Sequence, residues 1–334
     1  MCEDDGDGVL AAIGNTPQVR LRRLLPDAQF ELYAKLESLN PGGSIKDRPA
    51  HAIVTEAIAR GEIRPDTVVI ESSSGNLAIG LAQVCAYYGL RLICVVDAKT
   101  TVQNISVLRA FGTEVDCVDR RDPVTGEYLP ARIERVRELL ARYPGSFWPN
   151  QYANPTNARA HHQTMHEIAT ALHDRVDYVF CATSTCGTLR GCVQYVRSRG
   201  LSTRVVAVDA EGSAIFGGAR RKRLIPGHGA AVRPALFQPG LADHVVHVTD
   251  IDCVTGCRLL VRREAILAGG SSGAIVTAIL RMRHELEPGA RCVAILPDRG
   301  ERYLETVYSD AWVEAHFGHV PDVEPVAGRW APVG

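Results

Sequence analysis

A lysine set in a turn of small residues is the part of this chain best equipped for chemistry. Asn40-Pro41-Gly42-Gly43-Ser44-Ile45-Lys46-Asp47-Arg48 leads directly into a helix-like run, Asp47 to Arg60. A lysine in that place cannot pack its stem as a core residue does. It is presented at the mouth of a helix, where backbone N–H groups point outward. An amine there suits Schiff-base chemistry with an anionic cofactor, because it adds to carbonyls and its pKa falls when it is partly buried. Taken by itself, the turn also fits a solvated surface lysine, the ordinary state of that side chain.

Other turns decide between the two. Ser72-Ser73-Ser74-Gly75-Asn76 lies between a strand and a helix. It offers hydroxyls, free N–H groups and one amide, a set that suits a carboxylate and a phenolic oxygen. Ser184-Thr185-Cys186-Gly187-Thr188 follows a strand ending at Ala182. Its small residues let the backbone wrap a phosphate, with hydroxyls and a helix dipole adding to the grip. It has neither G-x-x-x-x-G-K nor G-x-G-x-x-G, which argues against a nucleoside triphosphate or a dinucleotide. Gly269-Gly270-Ser271-Ser272-Gly273 opens a helix reaching Leu286. A glycine before a helix is weak evidence alone; such turns at successive strand ends, with the lysine, converge on one ligand.

The elements that must hold these turns alternate. Strands are expected over Gln29–Leu36, Thr67–Glu71, Arg91–Val96, Glu114–Val118, Val176–Ala182, Val205–Asp209 and Arg291–Leu296. Helices are expected over Asp47–Arg60, Asn76–Tyr88, Thr101–Phe111, Pro130–Arg142, Asn157–His173, Thr188–Arg199, Cys253–Ala268 and Gly273–Leu286. Short apolar strands between helices predict parallel sheets covered on both faces. A break near Pro144 to Pro155 divides the series into two α/β lobes with a cleft between them. Ligands of such folds lie at the carboxyl ends of the strands. The long irregular stretch Gly212–Gly240, with its basic run Arg220 to Arg223, has the length of a functional or mobile loop.

Bulk properties narrow the class. The chain has 334 residues, 46% of them hydrophobic and 22% charged, and a formal net charge of -1. That charge provides no field for nucleic acid or a membrane surface. No apolar run nears the roughly 18 residues of a membrane span. Met1 to Gly8 is acidic and lacks an apolar core, so a short disordered tail and a cytoplasmic protein are expected. The 10 cysteines are scattered, often inside apolar runs, and contain no C-x-x-C pair. Cys253 and Cys257 have no second pair near them, so reduced, buried thiols and no metal are expected. His162 and His166 share a helix face, but no glutamate follows the first, so their role is read as structural.

With these residues in view, the chain resembles the fold-type II pyridoxal-phosphate enzymes of the cysteine synthase and cystathionine β-synthase family. The resemblance runs from about Ile13 to Phe317, opening on Ile13-Gly14-Asn15-Thr16-Pro17, and N-P-G-G-S-I-K-D-R is its most specific motif. It implies an α/β fold of two three-layer lobes with mostly parallel sheets and pyridoxal 5'-phosphate in the cleft. It implies that Lys46 binds the cofactor and is the catalytic residue. Asn76 would meet the phenolic oxygen, Ser184, Thr185, Cys186, Gly187 and Thr188 the phosphate, and Ser271 the pyridine nitrogen. Ser73, Ser74, Gly75 and Leu77, with Gln151, would bind the substrate carboxylate. Residues 9–40 with 156–318 would form the cofactor lobe and 41–155 a smaller, mobile lobe, with tails at 1–8 and 319–334. A homodimer acting on small amino acids is implied, with no nucleic acid or membrane partner.

Departures from the family pattern point to one branch. Leu77 stands where cysteine synthases carry a threonine, and Ser184 and Cys186 replace two glycines of the phosphate loop. Cys186 is read as inert packing. Leu296-Pro297-Asp298-Arg299-Gly300-Glu301-Arg302-Tyr303 looks closer to cystathionine β-synthases. The combination resembles the branch that joins O-phospho-L-serine to L-glutamate, giving N-(1-amino-1-carboxy-2-ethyl)-glutamate, a 2,3-diaminopropionate precursor. Arg132 is the expected partner of the donor phosphate, since its fork donates two hydrogen bonds. Tyr152 either orients the leaving group or amine or is a cleft wall. A sulfur nucleophile, and a non-catalytic binding role, are the competing readings.

Overall fold

The computed structural model describes residues 8–123, 126–219 and 221–323. The described chain builds two sheets. The larger contains β1 (Gln18–Arg20), β2 (Glu31–Leu36), β6 (Tyr178–Ala182), β7 (Arg204–Ala210), β8 (His244–Val248) and β9 (Arg291–Leu296), in the order β1-β2-β9-β6-β7-β8. All its pairings are parallel except β1 with β2. The smaller sheet is parallel, with β3 (Val68–Ser72), β4 (Arg91–Asp97) and β5 (Glu114–Val118) in sequence order. Phe147 adds a parallel bridge beside Val69 at its edge.

Each sheet is covered on both faces. In the smaller, Val69, Leu92, Cys94 and Val96 pack with α1 (Asp47–Ala59), α2 (Asn76–Tyr88) and Leu108 of α3 (Val102–Ala110). Ile70, Ile93 and Val95 point the other way, against Val136 and Leu139 of α4 (Tyr128–Arg142). In the larger sheet, Val179, Val205 and Val293 pack towards α5 (Pro155–Ala171) and α6 (Gly187–Arg199). Phe180, Val206 and Ala294 pack towards α7 (Asp250–Leu259) and α8 (Gly270–Met282). Alternation along strands buried on both faces explains why they read as continuous apolar runs.

The differences from the expected elements have local causes. The helix expected from Gly273 begins at Gly270, so most of the glycine-serine turn is the first turn of α8. The helix expected over Cys253–Ala268 is α7, capped by the reciprocal Thr249 and Asp252 bonds, then a π turn over Leu260–Glu264. β1, β8 and α9 (Asp310–Phe317) were not anticipated. β1 and β8 are edge strands with exposed residues, so no buried apolar run marks them. Among the described residues no helix is long and apolar enough to cross a membrane.

Candidate active site

The carboxyl ends of β2, β3, β6 and β9 bring the sequence turns to one place. Lys46 is the residue before α1, and Asp47 opens the helix with its carboxylate accepting the Gly42 N–H. Burial raises the Asp47 pKa to about 7, against the Gly42 N–H and Arg302, which favour its charged form. The lysine turn is fastened to the end of β9: Ile45 N–H donates to the Pro297 carbonyl at 2.7 Å, and Ser44 and Asp298 form an antiparallel bridge. Lys46 keeps partial solvent access, and the protein around its amine lowers its pKa by desolvation. Asp298 and Glu37 act in the opposite direction. A lysine held closer to neutrality is a better nucleophile and base.

Asn76 starts α2 and faces the same end of β9. Its Nδ2 donates to Asp298 Oδ2 at 2.8 Å, while Arg302 donates to its Oδ1. Tyr303 donates to the same Asp298 oxygen at 2.6 Å, and Arg302 Nη2 donates to the Gly42 carbonyl at 2.6 Å. Asp298, Arg302 and Tyr303 were not among the expected site residues. Their stretch had stood out in the sequence only as a sign of the branch.

The Ser184–Thr188 turn lies at the N-terminus of α6. Cys186 takes φ 64°, in the left-handed region that favours glycine. Its thiol is buried and pushed up to about 12, chiefly by desolvation, so it is not nucleophilic at neutral pH. Helix α5 backs the turn: Asn157 Nδ2 meets Thr185 Oγ1 at 3.3 Å, and His161 Nε2 lies 3.3 Å from Thr188 Oγ1. A Cβ on Gly187 would stand 2.2 Å from Asn157 Oδ1, so only glycine fits there. Burial, then Lys46 and Arg48, hold His161 well below its usual pKa. Ser271 is buried in the first turn of α8.

Gln151 is buried beside the Ser72–Asn76 turn, its Nε2 3.5 Å from the Ser72 carbonyl. Ser73 Oγ accepts the Ala78 N–H at 3.2 Å. Arg132, from α4, reaches Ser74 Oγ at 3.2 Å and pairs with Asp97 at 3.4 Å. Burial raises the pKa of Tyr152; the Glu71 carboxylate adds to this, and Arg132 and Arg223 oppose it. Gly75 precedes α2 with open space around it. The Leu77 side chain, at 2% exposure, packs in the apolar layer with Ala50, Val54 and Leu81. Arg221 pairs with Glu211, Arg223 donates to the His228 carbonyl, and Arg220 lies outside the described residues. A separate groove of about 360 Å³, lined by Ile53, Glu56, Trp148 and Thr156, contains none of the expected site residues.

The two histidines on α5 read as structural have side-chain partners on α6. His162 meets Gln194, and His166 meets Tyr195. No cluster suited to a metal occurs among the described residues, and Cys253 and Cys257 bond backbone carbonyls.

A desolvated lysine amine, a helix N-terminus with two threonines, and a buried hydroxyl at strand ends fit an anionic aldehyde cofactor. The chain belongs to the family described as pyridoxal-phosphate dependent enzyme, whose profile matches residues 9–298. Within it, the chain is 49% identical over 306 residues to the N-(2-amino-2-carboxyethyl)-L-glutamate synthase of Ralstonia nicotianae, covering 91% of this chain and 90% of the relative. A protein of the same name from Cupriavidus metallidurans is 46% identical over 311 residues, covering 92% and 91%. Among solved structures, O-ureido-L-serine synthase superposes with a TM-score of 0.84 at 32% identity, covering 92% of this chain and 98% of that one. The O-acetylserine-dependent cystathionine β-synthase of Helicobacter pylori gives 0.83 at 31%, covering 92% and 100%.

Proposed function

We propose that this enzyme carries out β-replacement on O-phospho-L-serine with the amine of L-glutamate, giving N-(2-amino-2-carboxyethyl)-L-glutamate, a precursor of 2,3-diaminopropionate in natural-product biosynthesis. The likeness to two synthases of that name, at 49% and 46% identity over nine-tenths of the chain, carries the reading. Arg132 at Ser74 supports its donor half, because it sets a guanidinium beside the turn assigned to the substrate.

When bound, pyridoxal phosphate withdraws electrons from the substrate's α-carbon, which loosens the α-proton and the β substituent. Lys46 holds the cofactor. The Lys46 amine would accept the substrate's α-proton and later return a proton. Ser184 to Thr188 and the α6 N-terminus hold the cofactor phosphate. Asn76 orients the ring from its phenolic side. Ser271 would offer the pyridine nitrogen a neutral hydroxyl rather than a carboxylate, a partner that would favour elimination over transamination. Ser73 to Leu77, through backbone and hydroxyls, and Gln151 bind the substrate carboxylate. Arg132 receives the departing phosphate, and Tyr152 borders the incoming amine. Closure of the lobe formed by residues 41–155 over the cofactor lobe, a homodimer and a cytoplasmic location belong to the same proposal.

Sulfur as the nucleophile is the second reading. It is supported by the likeness to the O-acetylserine-dependent cystathionine β-synthase and by the Leu296–Tyr303 stretch. One experiment separates the two. The loaded enzyme is given O-phosphoserine with glutamate, sulfide or homocysteine, and phosphate release and product mass are followed. Glutamate is expected to be consumed preferentially, and Lys46→Ala to abolish turnover; preference for sulfide or homocysteine would sink the reading.

A further inference from the structure

Pyridoxal phosphate carries its aldehyde and its phenolic oxygen on adjacent ring carbons, so the residues that meet them must be held side by side. Lys46 and Asn76 come from separate turns: Lys46 precedes α1, and Asn76 begins α2. Arg302, in the short turn Glu301–Tyr303 beyond β9, reaches both turns. Its Nη1 donates to Asn76 Oδ1, and its Nη2 donates to the Gly42 carbonyl of the lysine turn at 2.6 Å. A Cβ on Gly43 would stand 3.2 Å from that Nη2, so the second glycine of the motif leaves room for the guanidinium. On its other side, Asn76 Nδ2 donates to Asp298 Oδ2 at 2.8 Å, an oxygen that also accepts from Tyr303 at 2.6 Å. A guanidinium has donors only, and an ionised carboxylate only accepts. The Asn76 amide is therefore fixed from both ends, its oxygen towards Arg302 and its nitrogen towards Asp298. Nδ2 carries two hydrogens, and Asp298 takes one of them.

We propose that Arg302 is a positioning residue for the cofactor: it turns the Asn76 amide so that the second Nδ2 hydrogen meets the phenolic oxygen, and it sets that amide beside the lysine turn. The inference rests on Asn76 meeting that oxygen, as proposed above, but not on the choice of substrates. Without Arg302 the amide keeps only its bond to Asp298, and the Gly42 carbonyl loses its link to α2. The amide then rotates about the remaining bond, and its hydrogen bond to the cofactor weakens. The grip on the cofactor phosphate belongs to other elements, the Ser184–Thr188 turn and α6, and is left as it was.

The test reads cofactor binding without any substrate. Cofactor-free protein is titrated by equilibrium dialysis with pyridoxal phosphate and with 3-deoxypyridoxal phosphate, which lacks the ring hydroxyl. Asn76→Ala should weaken binding of the first about 10-fold, the range of one charge-assisted hydrogen bond, and leave the second nearly unchanged. Arg302→Met should show the same selective loss, by a factor of roughly 3–10. Added to Asn76→Ala it should cost nothing further, since both act on one contact. Arg302→Lys keeps a donor for Asn76 and should recover part of the loss. Arg302→Ala stands in if the methionine variant does not fold, as judged by circular dichroism. Equal losses for both cofactors, or no loss for either, would overturn the proposal while Asn76→Ala still discriminates. If Asn76→Ala itself does not discriminate, the assignment of Asn76 to the phenolic oxygen falls and the proposal with it. Preference for a sulfur nucleophile would overturn the proposed substrates and leave this coupling intact.

Discussion

Asp97 decides what Arg132 can offer a ligand. The carboxylate lies 3.4 Å from the guanidinium Nε, while Nη1 donates to Ser74 Oγ, so the fork is aimed along the Ser73–Asn76 turn. Charge-assisted hydrogen bonds of this kind contribute about 1.5–3 kcal/mol, or roughly 10–100-fold in kcat/KM. Arg132→Ala should therefore lower kcat/KM for O-phosphoserine by about that factor and change O-acetylserine only a few fold. Equal losses for both donors, measured by product formation, would remove Arg132 from the phosphate. Cys186 gives a prediction of the opposite kind. Its thiol is buried and pushed up to about 12 by desolvation, whereas Cys117 is exposed. Brief alkylation of the folded protein near pH 7.5 should mark Cys117 and spare Cys186 in a peptide map; rapid modification of Cys186 would assign it a reactive role.

At the scale of elements, Glu71 joins two segments that sequence alone kept apart. From the end of β3 it accepts the Ser72 N–H at 2.7 Å, the Trp148 indole N–H at 3.3 Å and the Gln151 N–H at 3.3 Å. The carboxylate thus fixes the Ser73 turn against Gln151. Burial raises its pKa to about 7, so the folded state holds a proton that the unfolded state has released above roughly pH 4.3. Stability should fall as pH rises from about 4 to 7 and level off beyond, by an amount of order 3 kcal/mol. Glu71→Gln should flatten that part of the profile, measured by urea unfolding from pH 4 to 8; an unchanged slope would refute the assignment. Lys46, Asn76 and the Ser184–Thr188 turn announced themselves because small residues before helices have a local signature. The Leu77 side chain lies in the apolar layer because one position in the first turn of a helix separates that layer from the Ser73–Asn76 turn. Asp298, Arg302 and Tyr303 carried no local signature, since their meaning depends on β9 lying beside β2, a pairing distant in sequence.

Across the whole molecule, the lysine motif is tied to the large sheet by a buried ion network. Arg48, two residues beyond Lys46, binds Glu37 through Nε and Nη2 at 2.7 and 2.8 Å. It binds Glu167 of α5 through Nη1 and Nη2 at 2.8 and 2.7 Å, and Lys35 of β2 completes the set at 2.7 Å from Glu167. One guanidinium thereby joins α1 of the smaller sheet's layer to β2 and α5 of the larger, which accounts for Arg48 within the motif without any role in substrate choice. Removing one member of a buried pair costs about 3–5 kcal/mol, because the other is left charged and unpaired. Arg48→Met should lower stability by that amount at pH 7, read as an earlier urea midpoint. The pH dependence supplies the sharper test. Burial would raise the Glu167 pKa, but Arg48 and Lys35 hold it down at about 2. A depressed folded pKa contributes stability that is complete above the ordinary glutamate range and is lost as pH falls towards 2. The gap between wild type and Arg48→Met should therefore be widest above about pH 5 and narrow steadily on acidification. A gap that stayed constant down to pH 3 would mean that Arg48 acts through packing of its stem rather than through its charge.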